Sequence, residues 1–189
     1  TLNLVWKGDN FSITSITNYT KFKYSYVEDC DGGPDNNCSF PLGQNSRQWS
    51  QELRVNGKAG SVDYTAGGYY LNVRQTAYQA FQFPTSTGTD YAFSDLNLIA
   101  QKLESYAVFG QVEFPVAERL KLTVGGRYTH DRKTFDSQVY FDELGAAYGG
   151  TGFYDPPLLT YDFSKATVGS LATAKANLWS GKVQLDYKI

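Results

Sequence analysis

The sequence predicts an all-β chain of about seven antiparallel strands, which together form a section of a transmembrane β-barrel. Three observations favour this fold class: a composition rich in aromatic residues, apolar and polar residues that alternate, and connections that alternate between short and long. The 189 residues include 15 Tyr, 12 Phe, 3 Trp and 18 Gly. Because aromatic residues are enriched in strands, this composition indicates β structure.

Composition also limits the function. The formal net charge is −2 and no stripe of Lys and Arg is visible, so nucleic acid is not an expected partner. No run of about 18 apolar residues occurs, which excludes a transmembrane helix. Low mean hydropathy is still compatible with transmembrane strands, because these strands are apolar only at alternate positions.

The individual strands follow from this alternation, which puts apolar and polar side chains on opposite faces. In chain order, regular alternation predicts strands within residues 2–7, 51–55, 106–114, 120–128 and 179–189. Two longer segments, 11–27 and 62–83, are rich in strand-forming residues but mixed, so the sequence does not fix their facing. The apolar positions of the regular strands are Leu2, Leu4, Trp6, Leu53, Val55, Tyr106, Val108, Val112, Phe114, Leu120, Leu122, Val124, Tyr128, Trp179, Val183, Leu185 and Tyr187.

The connections between these strands are sorted by length. They fall in order at about residues 8–10, 28–47, 57–60, 84–100, 115–119 and 142–175, alternately short and long. A soluble sandwich has no reason for this sorting, whereas an outer-membrane barrel has short periplasmic turns and long extracellular loops. Trp6, Phe114 and Tyr187 would then lie at the periplasmic ends, at the level of the lipid headgroups.

The two cysteines, Cys30 and Cys38, lie in one polar loop and predict a local disulfide. A disulfide implies an oxidising compartment. A metal site is the weaker alternative, because no His or further Cys is near and the Asp spacing lacks the central Gly of a calcium loop.

The sequence gives no basis for an enzyme or for a bound cofactor. His130 is the only histidine, and neither a nucleophilic cysteine nor a Gly-x-Ser-x-Gly elbow accompanies it. The Gly-rich run 145–153 lacks the Gly-Lys-Ser/Thr that a phosphate-binding loop requires.

Four segments resemble, in order, the β-barrel of TonB-dependent outer-membrane receptors: 50–55 (SQELRV), 106–114 (YAVFGQVEF), 120–135 (LKLTVGGRYTHDRKTF) and 180–187 (SGKVQLDY). The resemblance implies a barrel of about 22 strands around an N-terminal plug, located in the cell outer membrane. It implies uptake of a scarce nutrient of the siderophore-iron, cobalamin or saccharide class. Energy would come from the TonB complex through the plug, which is absent from residues 1–189, as are the C-terminal strands of the barrel.

Two groups of residues are candidates for contacts with a nutrient. Aromatic residues in the long connections suit stacking on a sugar or an aromatic siderophore, or packing of the loops against each other: Tyr91, Phe93, Tyr148, Phe153, Tyr154 and Tyr161. Charged residues on the polar faces would face the lumen: Glu52, Arg54, Glu113, Lys121, Arg127 and Lys182. These would contact the plug or a solute, or pair with each other along the wall.

Two other functions remain compatible with the pattern. One is a soluble, secreted β-sandwich that binds carbohydrate through its aromatic loops, because such a fold shows the same alternation. The other is a passive, porin-like channel that has the barrel but no energised plug.

Overall fold

The computed structural model describes residues 1–30, 32–34, 38–84, 91–141 and 172–188. The strands are β1 (Leu2–Lys7), β2 (Phe11–Asp29), β3 (Ser39–Ala59), β4 (Val62–Pro84), β5 (Tyr91–Ala117), β6 (Leu120–Phe141) and β7 (Ala172–Tyr187). They form one sheet in chain order, and each strand is antiparallel to its neighbours. The predicted seven-stranded antiparallel section is thereby confirmed.

The two ends of the sheet differ in the length of their connections. At one end, which we call the short-turn end, β1 meets β2, β3 meets β4 and β5 meets β6 through two to three residues. Gly60 adopts a positive φ of 64° in the turn between β3 and β4, a conformation that costs glycine little. The longer connections, residues 30–38, 85–90 and 142–171, all lie at the opposite, long-connection end.

The strands extend further toward the long-connection end than the sequence predicted. Residues 28–47 and 84–100 were expected to be loops, but β2 continues to Asp29, β3 begins at Ser39 and β5 begins at Tyr91. Hydrogen bonding to a neighbouring strand satisfies the backbone here without regular apolar alternation. The β3–β4 pairing skips Phe40 and Pro41, and the nitrogen of Pro41 has no hydrogen to donate.

The register separates an apolar face from a polar face. On the apolar face Val124 lies opposite both Val112 and Val183. The register also shows which residues of the mixed segment 11–27 share a face. Ile13 lies opposite Trp6 and Val55, so the odd-numbered residues of β2 lie on the apolar face.

Many large apolar side chains of this face are exposed rather than packed in a core; Trp179 is 81% exposed and Val183 is 76% exposed. The buried apolar residues of the described chain are Tyr78, Ala80, Leu98, Ala100 and Ala107. Within the described residues no helix is long and apolar enough to cross a membrane. A broad exposed apolar surface marks contact with lipid or another protein, and it does not fit the secreted sandwich.

Candidate functional site

Aromatic side chains on the apolar face form a belt across six strands. We define the outer belt as Tyr19, Trp49, Tyr70, Tyr106, Tyr128 and Trp179. Some neighbouring rings are in contact: the centroids of Tyr70 and Tyr106 are 4.8 Å apart, and those of Tyr128 and Trp179 are 4.7 Å apart. A second group of rings lies on this face at the short-turn end, where Trp6 and Phe11 meet at 5.2 Å.

The spacing of the two aromatic groups matches a lipid bilayer. Trp179 and Tyr187 are eight residues apart on β7, and Tyr106 and Phe114 are eight residues apart on β5. Eight strand residues span about 27 Å along the strand. At the tilt of barrel strands this is a height of roughly 20 Å, close to the apolar band of outer-membrane barrels.

The polar face carries a cationic cavity at the level of this apolar band. The cavity has a volume of about 320 Å³, and its lining includes Arg54, Phe109, Gln111, Arg127 and Lys182. None of the described residues that line it is Asp or Glu. Three cations line this cavity and Glu52 pairs with only one of them, Arg54, so the cavity is favourable for a negatively charged group.

Two arginines of the cavity are held by different neighbours. The guanidinium carbon of Arg127 lies 5.8 Å from the ring centroid of Tyr69 and 5.9 Å from that of Phe109, within the range of cation–π attraction. Arg54 Nη1 lies 3.6 Å from Glu52 Oε1. Arg54 Nε is buried without a hydrogen-bond partner among the described atoms.

Gly67 lies beside the cavity, next to the Phe109 ring that lines it. The residue lies between Arg54 and Phe109 in the register, and the Phe109 ring extends across it. A Cβ at this position would come within 2.7 Å of the Leu53 carbonyl oxygen, so only glycine fits without a shift.

The register places the six charged residues predicted to face the lumen on one polar face: Glu52, Arg54, Glu113, Lys121, Arg127 and Lys182. Of the ion pairs expected along this wall, Arg54 with Glu52 forms. Glu113 instead accepts a hydrogen bond of 2.9 Å from Gln111 Nε2. Their contact with a plug or a solute stays a prediction.

The predicted aromatic contacts in the long connections are only partly described. Tyr91 and Phe93 lie in β5, where they pair with Pro84 and Gln82, so they belong to a strand rather than to the loop expected. The β4–β5 pairing extends this far because the ladder accommodates a shift of register after Phe81. Four further residues lie outside the described part: Tyr148, Phe153, Tyr154 and Tyr161. The role of all six in binding stays a prediction.

Sequence reasoning missed an aromatic ladder, which we define as Phe22, Tyr24 and Tyr26. These rings follow each other on the polar face of β2, with centroids 5.5 Å and 6.0 Å apart. Their alternate spacing is visible in the sequence, but the mixed pattern around them concealed which face they share. The register shows that the three rings lie on the polar face, because Tyr24 lies opposite Gln44 on the face that carries Arg54.

The last ring of the ladder keeps its proton. Desolvation, followed by the charge of Glu28 and a hydrogen bond to it, raises the pKa of Tyr26 above its ordinary value of 10.0. At neutral pH the phenol is therefore a hydrogen-bond donor. Phe22 and Tyr26 are about half exposed, so their rings are accessible.

A disulfide closes the hairpin beyond the ladder. Cys30 and Cys38 are bonded, with their Cα atoms 5.6 Å apart, as the sequence predicted. The bond joins the end of β2 to the start of β3. The described residues contain no group of three or more His, Cys, Asp or Glu side chains arranged to hold a metal ion.

An antiparallel meander with an exposed apolar band between two aromatic groups defines a section of an outer-membrane β-barrel. Residues 1–189 match the family described as TonB dependent receptor-like, beta-barrel, and the chain belongs to this family. The family consists of transporters, so the expectation that the chain is not an enzyme is confirmed. Barrels of this family are proteins of the outer membrane.

A solved structure shares the fold. The ferric yersiniabactin uptake receptor FyuA from Yersinia pestis is 19% identical in sequence, with a TM-score of 0.69. The match covers 97% of this chain and 24% of that one. The present chain thus spans about a quarter of the length of that receptor.

Proposed function

We propose that residues 1–189 form part of the barrel wall of an outer-membrane receptor that takes up a scarce nutrient with TonB-coupled energy. The apolar face contacts lipid, the polar face lines the lumen, and the long-connection end faces the outside of the cell. The sorting of the connections supports this orientation, because long connections of such barrels are extracellular. In the full-length protein, the TonB complex would act through a plug.

The single observation that carries the proposal is the aromatic ladder on the polar face, beyond the outer belt. A nutrient that enters from outside would meet these accessible rings first and the cationic cavity afterwards. Stacked rings suit a planar aromatic or sugar ring, and the cavity suits a negative charge. Among siderophore-iron, cobalamin and saccharide ligands, this order favours an anionic, aromatic iron chelate. The name of FyuA as a ferric yersiniabactin uptake receptor is consistent with an iron chelate as the ligand.

The ladder can be tested in the full-length protein in its native outer membrane. We expect the double substitution Tyr24→Ala and Tyr26→Ala to weaken binding of an aromatic ferric chelate about 10-fold, since each ring contact contributes roughly 0.5–1.5 kcal/mol. Tyr24→Phe with Tyr26→Phe is the matched control, because it keeps both rings and should keep most of the affinity. Binding of labelled chelate to whole cells measures the effect. Equal affinity in all three proteins would contradict the ladder as a contact.

Energy coupling distinguishes the receptor from a passive channel. Accumulation of labelled ferric chelate, cobalamin and an oligosaccharide should be compared in cells with and without TonB. A receptor loses accumulation of its own nutrient without TonB but still binds it at the surface. Uptake that is independent of TonB would favour the porin-like alternative.

A further inference from the structure

The apolar face carries three polar side chains inside the apolar band. We define the polar cluster as Ser15, Thr17 and Gln51, on the neighbouring strands β2 and β3. Thr17 Oγ1 donates a hydrogen bond of 2.5 Å to Gln51 Oε1, and Gln51 Nε2 donates one of 2.9 Å to Ser15 Oγ. The cluster begins two residues from Tyr19 and Trp49 of the outer belt, on the side of the short-turn end. This even spacing keeps the cluster on the same face as the belt.

The hydrogen bonds within the cluster leave some of its polar atoms unused. The second hydrogen of the Gln51 amide is donated to the carbonyl oxygen of Glu52 at 3.1 Å. Among the described residues, no acceptor takes the hydrogen of the Ser15 hydroxyl and no donor reaches Thr17 Oγ1. Hydrocarbon supplies neither, and a polar group without a partner is unfavourable there. The cluster therefore favours contact with a surface that brings both a donor and an acceptor into the membrane.

The rest of the barrel would not cover the cluster. β2 lies between β1 and β3, and β3 lies between β2 and β4, so both strands of the cluster already have their neighbours. Further barrel strands would join the sheet at β1 and at β7 and would extend the wall sideways. Ser15, Thr17 and Gln51 are only partly buried. A partner must therefore approach them from the outside of the barrel.

On one side of the cluster, two leucines form a ridge. Leu2 of β1 lies opposite Thr17, and Leu4 lies opposite Ser15, so the leucines and the cluster are at the same level of the sheet. Leu2 is 57% exposed and Leu4 is 58% exposed. We call these two residues the leucine ridge.

On the other side of the cluster, small residues form a hollow. The residues of β4 that lie two and four positions from the belt residue Tyr70 are Gly68 and Ala66, which we call the hollow. A Cβ on Gly68 would meet nothing closer than the Ala107 oxygen at 3.8 Å. Ala66 and the neighbouring Gly110 line a cavity of about 390 Å³ that opens on this face. The hollow can thus receive a large side chain from outside.

This order of features makes the surface complementary to itself. A two-fold axis along the membrane normal places each side of a surface against the opposite side of its copy. With the axis at the polar cluster, the leucine ridge of each barrel meets the hollow of the other. Large side chains against small ones allow the two walls to approach closely. The short hydroxyl groups can then meet at the axis, where Ser15 of one copy donates to Thr17 of the other.

We propose that the polar cluster is the centre of an interface through which two copies of this barrel associate in the membrane. Proteins pack closely within membranes through small residues and through hydrogen bonds between Ser, Thr and Gln side chains, and this surface offers both. Acyl chains would fill the hollow but would leave the hydroxyl groups unpaired. The proposal rests on the proposed function only in that the apolar face contacts lipid.

The test uses full-length protein in phosphatidylcholine vesicles, with a fluorescently labelled second copy as the probe. Energy transfer between donor-labelled and acceptor-labelled copies, followed as the protein-to-lipid ratio rises, measures association. The interface variant combines Thr17→Val with Gln51→Leu. The control variant combines Thr20→Val with Gln48→Leu, a pair that lies directly opposite each other on the polar face of the same strands. We expect association of the interface variant to be about 10-fold weaker, since two symmetric hydrogen bonds contribute a factor of about 3 each. The control should associate as wild type does.

Two further variants test how the copies face each other. Gly68→Leu fills the hollow from outside and should weaken association at least as much, while heat-modifiable mobility on a gel shows that the barrel still folds. Leu4→Cys in one copy and Ala66→Cys in the other should form a disulfide in membranes of cells that express both. Leu185→Cys, near the short-turn end of β7, should not form one with Ala66→Cys.

Several outcomes would overturn the interface. These are wild-type protein that stays monomeric at every protein-to-lipid ratio, equal association of wild type and the interface variant, and equal loss in the interface and control variants. Uptake assays separate this inference from the proposed function. TonB-dependent uptake by a protein that does not associate refutes only the interface. Association through the cluster without TonB-dependent uptake keeps the interface and refutes the receptor.

Discussion

The two halves of the sheet follow different rules although they consist of the same strands. In the short-turn half, apolar and polar residues alternate with few exceptions, as in the aligned Val112, Val124 and Val183. In the long-connection half, cations and polar residues lie on the face that is apolar in the short-turn half. Aromatic rings such as Tyr24 and Tyr26 lie there on the polar face. The proposed orientation accounts for this difference, because lipid would impose alternation on the first half, whereas water on both faces would impose none on the second.

The largest expected effect comes from a charge within the apolar band. Val124→Arg places a guanidinium between Val112 and Val183, where lipid replaces water. We expect it to lower the free energy of unfolding by about 2–4 kcal/mol. Urea titration of the full-length protein in lipid vesicles measures the change.

The matched control lies on the same strand and the same face. Thr134→Arg introduces the same side chain ten residues further along, beyond the outer belt. It should cost less than about 1 kcal/mol, because surface substitutions usually cost little and the only added term is repulsion from Lys102 directly opposite. Equal costs at both positions would show that the two halves do not differ in their surroundings.

This difference also explains what the sequence could predict. Local sequence pattern predicted the regular strands, the sorting of the connections and the disulfide, because each of these features depends on residues that are close together in the chain. Local pattern did not predict where β2 ends or where β3 and β5 begin at the long-connection end. Strand pairing there needs a partner strand but no alternation of apolar and polar residues. The facing of Tyr24 and the pairing of Arg47 with Arg74 required the register, because tilt and stagger between strands are not encoded in any single segment.

The second prediction concerns the tip of the long-connection half. Replacing Cys30 and Cys38 by Ser removes the cross-link between β2 and β3. For a loop of this length the chain-entropy relation gives a stabilisation of about 2.5 kcal/mol. Opening of this hairpin, measured by amide hydrogen exchange of residues near the disulfide, should become easier by that amount.

The effect of the disulfide should remain local. Exchange of amides in the apolar band, for example in β6, should stay unchanged, because the band is held by pairing on both sides. Reduced wild-type protein is the control and should behave as the double variant does. A loss of protection throughout the sheet would mean that the two halves unfold as one unit.

The smallest expected effect compares two adjacent glycines that face opposite sides of β4. A Cβ at Gly67 would lie 2.5 Å from Phe109 Cζ and 2.7 Å from the Leu53 oxygen, whereas a Cβ at Gly68 would meet nothing closer than 3.8 Å. Because a backbone atom cannot move as a flexible side chain can, Gly67→Ala should cost about 1–3 kcal/mol through overpacking. Gly68→Ala should be neutral or slightly stabilising, since alanine has fewer unfolded conformations to lose. If Gly67→Ala proves equally neutral, the Phe109 ring does not lie across this glycine, and the cavity beside Arg127 has a different shape from the one described above.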